Sequence, residues 1–213
     1  MRTLLANLKN TIYFLLPYGI FLLSVGLILF LNGKEDIHIC INKYYNAFAD
    51  RAMPWITLGG DGIIVSIAVL LLCVLHRRFG FFTGISCLLA SGITQLLKHT
   101  IYFEEVRPKL FFSPSSPLRF VPGVENYLYN TFPSGHATLA FAFFFSLAII
   151  VKNKVLQLLL FTTALLIGFS RIYLSQHFLG DVFFGSLIGT STTLVVMTYA
   201  MHKGWLTLST GKI

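Results

Sequence analysis

Two apolar runs, 155–170 and 182–201, are separated by the polar stretch SRIYLSQHFLGD, which extends from Ser170 to Asp181. The stretch holds an arginine, a histidine and an aspartate where a lipid-facing segment would hold no charge. If a helix continues from His177 to Asp181, the spacing of four puts both side chains on one face. The carboxylate can then accept a hydrogen bond from one imidazole nitrogen, which leaves the other nitrogen free to attack or to transfer a proton.

The arginine of the same stretch, Arg171, offers a planar fork of donors that suits phosphate. The stretch therefore predicts a nucleophile, the carboxylate that orients it and an anion-binding arginine. A structural alternative stays open at this point. In that alternative His177 and Asp181 only cap a helix, and Arg171 extends its charge to the membrane surface.

Apolar residues dominate the chain, since 55% of its 213 residues are hydrophobic and only 11% are charged. This composition predicts a single integral membrane domain that occupies residues 1–213. Six segments are long or apolar enough to be spans, at about 11–31, 55–75, 79–97, 137–151, 155–170 and 182–201. We therefore predict an all-α fold, a six-span transmembrane helical bundle.

Charge is divided unequally between the two ends of this predicted bundle. The net charge of +8 lies at one end, which carries no acidic residue and eight basic ones: Arg2, Lys9, Arg77, Arg78, Lys152, Lys154, Lys203 and Lys212. The positive-inside rule makes this end cytoplasmic, so both termini are predicted to be inside. The polar stretch then lies at the outer face of a cytoplasmic (inner) membrane, which in a bacterium is the periplasmic face. The charge indicates topology and anionic headgroups, and no nucleic acid partner is predicted.

A second polar motif, Pro133-Ser134-Gly135-His136, leads directly into the fourth predicted span. Pro133 suits the first position of a helix, and the backbone amides of the following turn have no acceptor within the helix. Ser134 and Gly135 let a phosphate approach these amides closely, and the helix dipole favours its negative charge. His136 lies beside this predicted anion site.

A long connection, about residues 99–131, joins the third and fourth predicted spans. Its prolines argue against a seventh long helix, so we expect an irregular outer collar with at most one short interfacial helix. Lys98 precedes the collar and Arg107 lies within it, on the same outer face as the two motifs. Lys109 and Arg119 of the collar are predicted secondary anion contacts.

The motifs resemble those of the type 2 phosphatidic acid phosphatase superfamily of membrane phosphatases. That family shows a Lys followed by Arg-Pro, then Pro-Ser-Gly-His, then Ser-Arg with a His and an Asp at fixed spacing. The second motif is intact at Pro133–His136 and the third is intact between Ser170 and Asp181. The resemblance covers about residues 55–200.

The first motif departs from the family pattern. Eight residues separate Lys98 from Arg107-Pro108, whereas the family usually has six. The usual spacing would select Thr100. Either an insertion at the helix end restores Lys98 to its place, or Lys98 is not the equivalent residue.

The resemblance implies a role for each matching residue. His177 attacks phosphorus, Asp181 positions it, and His136 protonates the leaving oxygen and later activates water. The implied phosphate ligands are Lys98, Arg107, Ser134, Gly135 and Arg171. No cofactor and no metal are implied, and no obligate protein partner is inferred. The implied partners are a phosphorylated membrane lipid and the bilayer itself.

The expected activity is hydrolysis of a lipid phosphate monoester or diphosphate. Lipid A, undecaprenyl diphosphate, phosphatidylglycerophosphate and phosphatidic acid are all candidate substrates. The changed first motif and the basic collar favour a bulky headgroup with several anionic groups, hence lipid A or a polyprenyl diphosphate. Two other functions stay open. One is a transferase that passes the phosphoryl group to another lipid or a sugar, and the other is a lipid transporter or scramblase without the chemistry.

Overall fold

A computed structural model describes residues 8–112 and 118–207 of the chain. Within these residues the regular structure is helical, apart from one isolated antiparallel bridge between Val106 and Tyr129. The helices are α1 Ile12–Leu31, α2 Lys34–Asn42, α3 Ala47–Ile56, α4 Gly62–Leu75, α5 Arg77–Thr100, α6 Pro108–Phe111, α7 Gly135–Ile150, α8 Lys154–Tyr173 and α9 Leu179–His202. A 3-10 turn, Thr57–Gly60, follows α3. The predicted all-α class is confirmed for the described residues.

Four of the described helices, α1, α5, α8 and α9, are long and apolar enough to cross a membrane. A fifth candidate span combines α4 with α3 and its 3-10 turn, at a bend of 53°. Helix α7 is apolar but only 16 residues long. The chain therefore has four to five membrane-spanning candidates, and the count of six spans stays a prediction.

The predicted span at 55–75 is interrupted. The chain breaks at Asp61, whose carboxylate accepts hydrogen bonds from the amides two and three residues later and so caps α4. At Gly60 the break packs directly on α7, because a Cβ there would lie 2.6 Å from the carbonyl oxygen of His136. The bend thus brings the end of the 3-10 turn next to the second polar motif.

An aromatic cluster joins the N-terminal helix to the centre of the bundle. The Phe14 ring lies 5.1 Å from the Phe145 ring of α7 and 5.6 Å from the Phe161 ring of α8. Large apolar side chains also point outward: Phe30 is 86% exposed and Val74 is 81% exposed. Such a surface is unstable in water but suits contact with lipid tails, which agrees with an integral membrane protein.

Helices α7 and α9 approach each other unusually closely. A Cβ at Gly189 of α9 would lie 2.3 Å from the carbonyl oxygen of Thr138 in α7. Because no side chain separates the two backbones, the first turn of α9 also reaches the start of α7. There the amide of Ser134 donates to the carbonyl oxygen of Asp181 at 2.9 Å. Close packing of the two helices therefore joins the second and third motifs.

Five of the eight basic residues predicted to share one end line two cavities at the end of the bundle away from these motifs. One cavity, of about 590 Å³, lies between the start of α5 and the chain after α9, and the other, of about 370 Å³, lies beside the α7–α8 connection. Their basic lining residues are Lys9, Arg77, Arg78, Lys152 and Lys154. Arg2, Lys212 and both termini lie outside the described residues, so the orientation in the membrane stays a prediction.

Candidate active site

The predicted nucleophile and its carboxylate are in contact. The distance from His177 Nδ1 to Asp181 Oδ2 is 3.2 Å. The expectation that one helix contains both residues is wrong, since α9 begins only at Leu179 and His177 lies in the connection before it. Asp181 Oδ2 also accepts a hydrogen bond from the amide of Phe178 at 2.9 Å, which folds the connection back onto the helix. Asp181 therefore both caps α9 and contacts the imidazole.

A third residue, Thr131, completes this contact and was not predicted. Its hydroxyl donates a short hydrogen bond to Asp181 Oδ2 and lies 3.4 Å from His177 Nδ1. Thr131 is fully buried. It precedes the second motif without belonging to it, so the sequence carried no signal for it. With Nδ1 facing Asp181 and Thr131, Nε2 is the nitrogen of His177 left for a substrate.

Burial and nearby positive charge keep His177 neutral. The residue is 1% exposed. Burial, which disfavours the charged ring, is the main cause that lowers its pKa well below the usual value. The positive charges of Arg107, Arg171 and Lys98 lower the pKa further. A neutral imidazole keeps the lone pair that a nucleophile needs.

Hydrogen bonds between two parts of the collar, residues 106–107 and residues 128–129, fix the position of Arg107. Its backbone amide donates to the carbonyl of Leu128 at 2.8 Å, next to the bridge between Val106 and Tyr129. Its guanidinium donates from Nε to the Tyr129 carbonyl at 2.9 Å and from Nη1 to the Gln176 carbonyl at 3.1 Å. Because Gln176 directly precedes His177, this contact places Arg107 beside the predicted nucleophile.

Of the two candidates for the first residue of the motif, Lys98 is buried against the collar and Thr100 is exposed. Lys98 lies in the last turn of α5, is 8% exposed, and its Nζ donates to the Asn130 carbonyl at 2.9 Å. Thr100 is exposed, and its hydroxyl donates back to the Leu96 carbonyl of its own helix. A turn follows α5, and in it the amide of Tyr102 donates to the Leu97 carbonyl at 2.9 Å. That Lys98 is the first residue of the motif despite the longer spacing stays a prediction.

Arg171 is buried near the end of α8 and does not extend to the membrane surface. Only 4% of it is exposed, and its Nη1 donates to Thr57 Oγ1 at 2.7 Å. Its Nε is buried and has no hydrogen-bond partner among the described residues. The structural alternative that placed its charge at the surface is therefore wrong. A buried guanidinium with a free donor is suited to an anionic ligand.

The start of α7 offers fewer free donors than expected. Ser134 is its N-cap, and the side-chain oxygen accepts from the Ala137 amide at 3.4 Å. The Ser134 amide is already bonded to Asp181, so Ser134 can reach a phosphate only through its hydroxyl hydrogen. The amides of Gly135 and His136 lie in the first helical turn, where no intrahelical acceptor exists. These two amides remain the predicted anion donors.

Arg119 has a partner that the sequence did not suggest. Both Nη atoms donate to the carboxylate of Asp50 in α3, and the guanidinium lies 4.2 Å above the Tyr45 ring. Tyr173 at the end of α8 donates to the same carboxylate at 2.8 Å. The expectation that Arg119 is a secondary anion contact is therefore wrong, since Asp50 already neutralises it. Lys109 is exposed on α6, and its role stays a prediction.

Among the described residues, no group of three or more His, Cys, Asp or Glu side chains is arranged to hold a metal ion. A site built from two imidazoles, one carboxylate and three cationic side chains instead suits an anion. That the activity needs no metal stays a prediction.

The sequence model of the PAP2 superfamily matches residues 79–205. The chain is 30% identical over 152 residues to undecaprenyl-diphosphatase BcrC of Bacillus subtilis strain 168, an alignment that covers 68% of this chain and 72% of that protein. In fold it is similar to the crystal structure of Aquifex aeolicus LpxE, at a TM-score of 0.68 and 23% identity over 77% of this chain and 94% of that one. It is also similar to a PAP2-type phosphatidylglycerolphosphate phosphatase from Bacillus subtilis, at a TM-score of 0.58 and 23% identity, covering 89% and 97% of the two chains.

Proposed function

Because the chain belongs to the PAP2 superfamily of membrane lipid phosphatases, we propose that it hydrolyses a lipid phosphate monoester or diphosphate through a phosphohistidine at His177. The observation that carries this proposal is the orientation of one imidazole. His177 Nδ1 faces Asp181 and Thr131, which leaves Nε2 as the attacking atom. No cofactor enters the proposed reaction.

In the first step, the Nε2 lone pair of His177 attacks phosphorus and forms an N–P bond as the P–O bond to the lipid breaks. The negative charge of the bound phosphate favours the protonated form of His136, at the start of α7, and this imidazolium gives its proton to the leaving oxygen. Asp181 holds the Nδ1 hydrogen and stabilises the positive charge that develops on the ring. The products of this step are a lipid that has lost one phosphoryl group, which for a diphosphate is the lipid monophosphate, and a phosphorylated His177.

In the second step, water attacks the phosphohistidine. His136, now neutral, accepts a proton from the water, the N–P bond breaks and the electron pair returns to Nε2. Inorganic phosphate leaves, and both imidazoles return to their starting states. One histidine thus serves as acid and then as base, as a two-step displacement requires.

Lys98, Arg107 and Arg171, together with the amides of Gly135 and His136, are the proposed ligands of the equatorial phosphate oxygens. Phosphoryl transfer spreads negative charge over these oxygens, and cations fixed in a buried site stabilise that charge strongly. The burial of all three cationic side chains, each at most 8% exposed, supports this assignment. Ser134 is proposed to add its hydroxyl hydrogen.

We propose a polyprenyl diphosphate as the first candidate substrate, ahead of lipid A, phosphatidylglycerophosphate and phosphatidic acid. The relative named undecaprenyl-diphosphatase supports this order. The three buried cations also suit a headgroup with more than one anionic unit. The whole chain, residues 1–213, is proposed to form one multi-pass domain of the inner membrane, with six spans, both termini inside and the site facing the periplasm.

A transferase that passes the phosphoryl group to another lipid or a sugar is the nearest alternative, since the same phosphohistidine would serve it. A transporter or scramblase is a different alternative. It would have no need of a buried His177–Asp181 pair, so its activity should survive loss of the imidazole.

The test is release of inorganic phosphate by the purified protein in detergent from undecaprenyl diphosphate, lipid A, phosphatidylglycerophosphate and phosphatidic acid, with a chelator present. We expect release that is greatest from undecaprenyl diphosphate and that disappears in His177→Ala. Release that survives this substitution, or no release from any lipid, would contradict the proposal. A phosphorylated acceptor in place of free phosphate would favour the transferase.

A further inference from the structure

Helix α2 lies outside residues 79–205, the part of the chain that matches the family, yet it contacts the connection that carries His177. His38 of α2 is 1% exposed. Its Nε2 lies 3.2 Å from Ser175 Oγ, within hydrogen-bonding distance. Ser175 precedes His177 by two residues. An N-terminal helix therefore reaches the turn that determines where the imidazole points.

Ser175 has a backbone conformation that needs support. Its φ is +53°, in the left-handed region that residues other than glycine rarely adopt. The turn is closed on one side by the amides of Gln176 and His177, which both donate to the Arg171 carbonyl. On the other side, Asn42 Nδ2 donates to Ser175 Oγ at 3.3 Å, beside His38. Two side chains of α2 thus hold the Ser175 hydroxyl.

The His38 ring also packs on the residue that follows His177. Its centroid is 5.3 Å from that of Phe178, in an edge-to-face arrangement, and 5.5 Å from that of Phe112, in a stacked arrangement. The amide of Phe178 is the donor that joins the connection to Asp181. His38 therefore contacts the connection on both sides of His177, at Ser175 through a hydrogen bond and at Phe178 through its ring.

We propose that His38 is a positioning residue for the reaction, which acts by holding the Ser175 turn so that Nε2 of His177 points at the phosphate. This inference rests on the proposed function of His177. His38 does not touch the reacting atoms and is not a catalytic residue. Burial lowers the pKa of His38 to about 4, so the ring is neutral at ordinary pH. In one tautomer its Nε2 donates to the Ser175 hydroxyl, and in the other Nε2 accepts the hydroxyl hydrogen.

The test separates the hydrogen bond from the packing. His38→Phe keeps an aromatic ring between Phe112 and Phe178 but removes Nε2, and Ser175→Ala removes the hydroxyl that Nε2 contacts. We expect each to lower kcat by roughly 10- to 100-fold with KM little changed, because the substrate ligands stay in place while the nucleophile is misplaced. The double variant should fall no further than Ser175→Ala alone, since that variant already lacks the hydroxyl that His38 contacts.

A conservative variant supplies a rescue that a purely structural role would not show. In His38→Gln, the side-chain amide offers both a donor and an acceptor near the position of Nε2, and we expect kcat to recover most of the loss seen in His38→Phe. The matched control is His76→Phe, the same substitution at an exposed residue between α4 and α5, which should leave kcat unchanged. Thermal unfolding of every variant in detergent reports any loss of folded protein.

Several outcomes would overturn the inference: wild-type kcat in folded His38→Phe, losses in the single variants that multiply in the double variant, or no recovery in His38→Gln. Failure of the proposed function is distinguishable from these. It would appear as activity that persists in His177→Ala, whereas an inactive His177→Ala alongside a fully active His38→Phe would contradict only the role of His38.

Discussion

The side chains of Lys98 and Arg107 meet at the carbonyl oxygen of Asn130, with Nζ at 2.9 Å and Nη2 at 3.5 Å. Bringing two buried positive charges together is costly unless negative charge compensates them. One carbonyl dipole and the carboxylate of Asp181 do so only in part, because the buried Arg171 adds a third positive charge. A phosphate with two negative charges would complete the balance.

We predict that Lys98→Met lowers kcat/KM for phosphate release by about 100-fold, the usual effect of losing one donor to a developing oxyanion. Thr100→Val, at the position that the usual motif spacing would select, should leave kcat/KM unchanged because its hydroxyl bonds to its own helix. Steady-state assays of phosphate release compare the two variants. The reverse order of effects would contradict the assignment of Lys98.

We predict that Thr131→Val lowers kcat by roughly 10-fold or more without a comparable change in KM. The substitution removes the hydroxyl that donates to Asp181, so the buried carboxylate loses a hydrogen bond and holds the imidazole less firmly. Thr162→Val is the matched control, since Thr162 is exposed on α8 and bonds only to its own helix. Equal effects at the two positions would mean that Thr131 has no special role.

We predict that Arg119→Ala lowers activity on every lipid of the panel by the same factor. The guanidinium holds the collar to α3 through Asp50 and is not available to a headgroup. Asp50→Asn should have a similar effect, because it weakens the same ion pair. Ratios of kcat/KM between lipids are the measurement. A change in substrate preference in Arg119→Ala would show that the residue selects the headgroup.

The acid limb of the pH profile should lie below the pKa of free imidazole, about 6.5. His177 is an active nucleophile only above its folded-state pKa, because below that pKa the imidazole is protonated. Burial and neighbouring cations lower the folded-state pKa of His177. We expect the rate constant of the first step to stay nearly constant as the pH falls through about 6.5. Stopped-flow or quench measurements of lipid release test this.

The same pH dependence, measured in a variant that lacks one cation beside His177, gives the matched comparison. Arg107→Gln should raise the pKa of His177, so the decline of the first step should begin at a higher pH than in the unmodified protein. The ionisation of the lipid phosphate, followed separately by phosphorus NMR, is the control. A decline centred at the imidazole value in the unmodified protein, unchanged by Arg107→Gln, would contradict the lowered pKa.

Local motifs and apolar runs predicted the helical class and the group of residues that the structure brings together: His136, His177, Asp181, Lys98, Arg107 and Arg171. Side chains that act from distant parts of the chain were not predictable. Thr57 contacts Arg171 across 114 positions, and His38 contacts Ser175 across 137. Neither Thr57 nor His38 belongs to a motif, and only the packed structure makes these contacts.

Two expectations were wrong because neither a spacing nor a charge determines which contact a side chain makes in the packed structure. The spacing of four between His177 and Asp181 suggested one helix, but the connection reaches the same contact through a cap on α9. The charge of Arg119 suggested an anion contact, whereas Asp50 of α3 is its partner. A spacing indicates which residues can meet, and the packing decides how they do so.

The most direct test of the central claim is isolation of the phosphorylated protein after rapid mixing with labelled undecaprenyl diphosphate, followed by peptide mapping. We predict acid-labile phosphate on the peptide that contains His177, formed no later than lipid release and absent from His177→Ala. Label on another residue, or full phosphate release with no labelled protein at any time, would contradict the proposed phosphohistidine.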